Sequence, residues 1–158
     1  MENEGSVHYM ERSRNYYAAQ GYTEPYHWPH YDDVPFHALA KPLAESIVTV
    51  ITTAMPDASY RRRRRRLAVG DLSHPPEHLF TGDLAWDNRA THTDDRETYL
   101  PMHQLERLVA TGRLGALGPH FYCAPTEYSQ RRTIEQDAPA IVTGCRDDGV
   151  DVALLVPL

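Results

Sequence analysis

The chain is poor in the features that would announce a chemistry. Its 158 residues hold two cysteines, Cys123 and Cys145. They make no Cys-x-x-Cys pair and are too few for a disulfide framework. No Gly-x-Gly-x-x-Gly, no phosphate-binding Gly-rich loop and no Gly-x-Ser-x-Gly occurs, which leaves nucleotide binding and serine hydrolysis without support. No apolar run approaches the ~18 residues of a membrane span. The start, Met1-Glu2-Asn3-Glu4-Gly5, is acidic and polar and lacks the pattern of a secretory leader, so the expected compartment is the cytoplasm. Net charge is −6, which argues against nucleic acid as a partner for the whole chain. Lysine is nearly absent: of 16 basic residues only Lys41 is not arginine.

What remains is an ordinary globular composition, 41% hydrophobic and 24% charged, at a length suited to one core. Residues 1–46 gather tyrosine and proline: Tyr16, Tyr17, Tyr22, Tyr26, Trp28, Tyr31, with Pro25, Pro29, Pro35 and Pro42. That spacing predicts a short helix over 9–19 and then an irregular arm whose rings cover a sheet edge. Ile47 to Thr53 is β-branched almost throughout and stops at Met55-Pro56-Asp57, a strand and its turn. The six arginines Arg61–Arg66 repel one another and read as a solvated loop, with an anion or RNA contact as the alternative. Leu67-Ala68-Val69 reads as a short edge strand.

Residues 70–100 read as a long polar loop, and loops of that length in compact domains are functional or disordered. In His74-Pro75-Pro76-Glu77-His78 the prolines prevent the helix that would bring both rings to one side, so exposed loop histidines are expected. In Ala90-Thr91-His92-Thr93-Asp94-Asp95-Arg96-Glu97 a histidine meets three carboxylates. Carboxylates beside an imidazole raise its basicity and fix its tautomer, which makes His92, Asp94 and Asp95 candidate catalytic residues. The competing reading is a helix start, with Thr93 as N-cap and the acids in the first turn.

From Pro101 the pattern turns regular. Leu105, Leu108 and Val109 predict an amphipathic helix over 101–111, ended by Gly112. His120–Ala124 predicts a strand. A helix over 127–146 follows, kinked or restarted at Pro139, with Ile134, Ala138, Ile141, Val142 and Cys145 on its apolar face. Both cysteines read as core residues. The final run, Val150–Val156, reads as a buried parallel strand. The alternation predicts an α/β fold: a Rossmann-like, mostly parallel sheet with flanking helices. The expected division is an arm over 1–46 and an α/β domain over 47–158.

Several stretches resemble the selenoprotein B family of the glycine, sarcosine, betaine and D-proline reductases. They are Arg14–Tyr22, Phe36–Leu43, Ala90–Asp95, Pro125–Glu135 and Asp148–Leu158. In that family the strand matching 150–157 is followed by a selenocysteine or cysteine, two residues and a cysteine, then a helix. The resemblance therefore implies that this chain is the N-terminal portion of a larger domain, with selenocysteine expected immediately after Leu158. No cofactor or metal is expected within the chain itself. It further implies reductive C–N cleavage of a small amino-acid-like substrate, a thiol carrier such as thioredoxin or a selenoprotein, and a possible second reductase subunit. Tyr128, Ser129, Gln130 and Arg131, after a strand and at a helix start, become substrate-binding candidates. Two other readings stay open. One is a non-catalytic binding or scaffold subunit; the other is metal-dependent hydrolysis through His74, His78 and His92 with Asp94 and Asp95.

Overall fold

A computed structural model describes residues 8–25, 30–34, 37–61, 67–82, 92–126 and 129–158. The chain divides into two compact units, 1–37 and 38–158. In the first, helix α1 (Tyr9–Ala19) ends before Gly21 and buries none of its residues. Tyr16, Tyr17 and Tyr22 are exposed, and Tyr17 sets its ring edge-on to both of the others. Tyr26, Trp28 and the run Arg62–Arg66 lie outside the described residues.

The second unit is mixed α/β around one strand, β1 (Ile47–Thr52). Segment 38–46 belongs with it. Lys41 Nζ lies 2.8 Å from Asp151, and Gly115 N donates to Leu43 O at 3.0 Å. β1 is flanked on one side by β3 (Ala116–Leu117) and β4 (His120–Cys123), and on the other by β5 (Val152–Val156). All four run parallel. β2 (Ala68–Asp71) pairs antiparallel with β4, with Ala68 opposite Cys123 and Asp71 opposite His120. The sheet is thus mostly parallel, with one antiparallel edge.

β-branched side chains fit the pleat of β1, and flanking strands bury it. Val48 and Val50 join Phe121 and Cys123 on one face. Helix α2 (Met102–Ala110) covers that face with Met102 and Leu105. Gly112, at φ +68°, closes the helix where a side chain would be strained. The buried hydroxyls on β1 are satisfied: Thr49 Oγ1 donates to His120 O, and Thr52 Oγ1 accepts from Ala54 N at 3.2 Å. Tyr122 alternates with Phe121 and so faces the opposite side. There α4 (Ala138–Asp147) packs on it at Gly144, where a Cβ would fall 2.5 Å from the Tyr122 hydroxyl. The helices therefore lie on opposite faces of the sheet, as right-handed crossovers require.

Pro139 marks the restart of its helix, as the sequence predicts, and two other expectations change. α3 (Gln130–Arg132) runs through a π-helical turn, Thr133–Asp137, into α4, with the proline in the first turn of α4. Of the predicted apolar face only Ile141 is buried, while Ile134 and Val142 are exposed. The terminal strand is likewise not buried. Among the described residues β5 pairs with β1 alone, and Leu154 and Leu155 are 39% and 67% exposed. Its apolar run was the pattern of a strand flanked on both sides, but the second flank is not among the described residues.

Candidate functional site

The order β4–β1–β5 makes the carboxyl end of β1 a topological switch point. The route out of β1 leads to one neighbour, and the route out of β4 crosses to the other. Ligand crevices of open α/β sheets lie at such points. Here Ala124 N donates to Thr52 O at 2.8 Å, and Leu158 N to Thr53 Oγ1 at 2.9 Å. The strand ends are thereby tied side by side.

Two candidate groups reach this end of the sheet. The loop before α2 arrives there through Met55, which exchanges backbone hydrogen bonds with Phe80, and through Leu79 N, which donates to the Tyr99 hydroxyl at 3.1 Å. In that loop His92 Nδ1 lies 3.6 Å from Asp94, with side chains 72% and 92% exposed. Asp95, not Thr93, is the capping residue. Its carboxylate accepts from Glu97 N at 2.9 Å and opens a single 3-10 turn, Arg96–Thr98. Thr93 Oγ1 instead pairs with Thr81 Oγ1 at 2.7 Å. The cap falls later because the α-helix itself starts only at Met102, where Glu97 takes over and accepts from His103 N at 2.9 Å. Arg96 donates to Pro76 O at 3.0 Å and sits 3.4 Å from Glu97.

The second group follows β4. Ser129 caps α3, its Oγ accepting from Arg132 N at 3.4 Å, and Gln130 and Arg131 form the first helical residues. Arg131 pairs with Glu135 at 3.1 Å on the exposed surface. Tyr128 lies outside the described residues. The fold thus brings the described members of both sequence-predicted groups to one end of the sheet. Chemically, that end offers a solvent-facing imidazole–carboxylate pair for proton exchange. It also carries Arg131 at a helix start, its guanidinium paired with Glu135.

A three-residue polar cluster lies at the opposite, amino end, and sequence reasoning missed it. His120 Nδ1 lies 3.0 Å from both oxygens of Asp148, and the Tyr122 hydroxyl donates to the same carboxylate at 2.9 Å. Asp148 is only 12% exposed and His120 is 45% exposed. Burial, then the bond to Asp148 and its charge, pushes the Tyr122 hydroxyl well above its ordinary range, so it stays a donor. Cys145 is raised by burial and then by the Asp148 charge, and Tyr122 partly offsets this. Burial alone pushes Cys123, on β4, up to about 12. Neither thiol is set up as a nucleophile. Nearby, His74 Nδ1 lies 3.3 Å from Asp71, and Ser73 Oγ donates to Asp71 at 2.6 Å. Among the described residues no three His, Cys, Asp or Glu side chains gather as a metal site, and no helix is long and apolar enough to cross a membrane.

Compared with known proteins, the chain matches no family model, no curated protein and no solved structure.

Proposed function

We propose that this chain is the α/β scaffold of a selenol- or thiol-dependent reductase of the glycine, betaine or D-proline reductase type. Its reaction is the reductive cleavage of a C–N bond in a small amino-acid-like substrate. The observation that carries this reading is the position of the β5 carboxyl end. It lies beside β1 at the switch point, at the same end of the sheet as His92 and Arg131. A selenocysteine or cysteine following Leu158, at a strand-to-helix junction, would supply the reducing chalcogenolate, acidified by the helix dipole. Around it, Arg131 and the helix start at Ser129 and Gln130 hold the substrate carboxylate. His92, oriented by Asp94, delivers the proton that the departing amine takes up, and Asp95 faces the substrate ammonium. A thiol carrier such as thioredoxin or a selenoprotein restores the reduced state, alone or with a second reductase subunit.

The condition of the chain's own thiols favours a second reading equally. With Cys123 buried and Cys145 raised, the 158 residues alone form a non-catalytic binding or scaffold subunit, and the dithiol arrives on a partner. Sequencing the gene through codon 159 separates the two. An in-frame UGA followed by a cysteine codon three positions on supports the selenoenzyme. A UAA or UAG there leaves only the scaffold reading, which in turn fails if no dithiol-bearing subunit co-purifies.

A further inference from the structure

We draw no further inference here: the strongest candidate, the outer edge of β5 with exposed Leu154 and Leu155, carries nothing because nothing in the structure shows what covers it.

Discussion

The two ends of the sheet each carry a histidine beside an aspartate, and the pairs differ in almost everything else. At the carboxyl end His92 and Asp94 are 3.6 Å apart and open to water. At the amino end His120 and Asp148 are 3.0 Å apart, partly sheltered, and joined by Tyr122. The first pair is largely exposed, its members 72% and 92% open to solvent. The second holds the C-terminus of α4 against β4. A carboxylate at a helix C-terminus is opposed by the dipole, and His120 and Tyr122 offset that cost. Strong bonding therefore marks the end that holds the fold together, and the exposed pair lies at the end where the proposed chemistry would take place.

The comparison breaks most readily at Gly144. A valine there drives a side chain into the Tyr122 ring, and overpacking of this kind costs about 1–3 kcal/mol. The expected result is a lower urea midpoint with an unchanged slope. Retained stability would mean that α4 is not closely docked. Tyr122→Phe keeps the ring and removes one bond to a sheltered carboxylate, at a cost of about 1–2 kcal/mol. Double-mutant analysis with Asp148→Asn should show coupling, whereas additive losses would dissolve the cluster into independent contacts.

Acid sharpens the contrast further, because the lowered carboxylates sit at the amino end. Asp71 is brought to about 2 by the Ser73 hydroxyl and amide and by His74. Asp151 is lowered by the Ile47 amide and then by Lys41. Each pKa is lower folded than unfolded. Their contribution is complete above the ordinary value of 3.8 and fades as pH falls through the folded value, about 2 for Asp71. Unfolding followed between pH 5 and pH 2 should weaken less in an Asp71→Asn, Asp151→Asn double variant than in the parent. An equal acid dependence in both proteins would contradict the assignment.

The smallest effect on stability is expected at the other end. His92→Ala should stay within about 0.5 kcal/mol of the parent, as exposed sites do. If the proposed reductase function holds, it should lower turnover by about 10²–10⁴-fold, the usual worth of general acid–base catalysis. Unchanged turnover removes the catalytic role.

This asymmetry also explains how much could be seen before folding. The His92–Asp94 group is legible because its members are adjacent in sequence. β1 and α2 are legible because β-branched runs and i, i+3, i+4 spacing act locally. The His120–Asp148 pair is 28 residues apart and joined only by the crossover through α4, so no local signal couples them. β5 shows the opposite failure. Val152–Val156 has the composition of a buried strand, yet burial depends on neighbours that composition does not name. The alternative of Thr93 as a cap fails because the pattern Thr-x-x-Arg-Glu does not reveal that the α-helix waits until Met102.

The most direct test is the intact mass and selenium content of the protein isolated from its native cells. If the proposed reductase function holds, the native product carries one selenium atom directly after Leu158 and a cysteine three positions further on. A native product that ends at Leu158, free of selenium and without a dithiol-bearing companion, would contradict it.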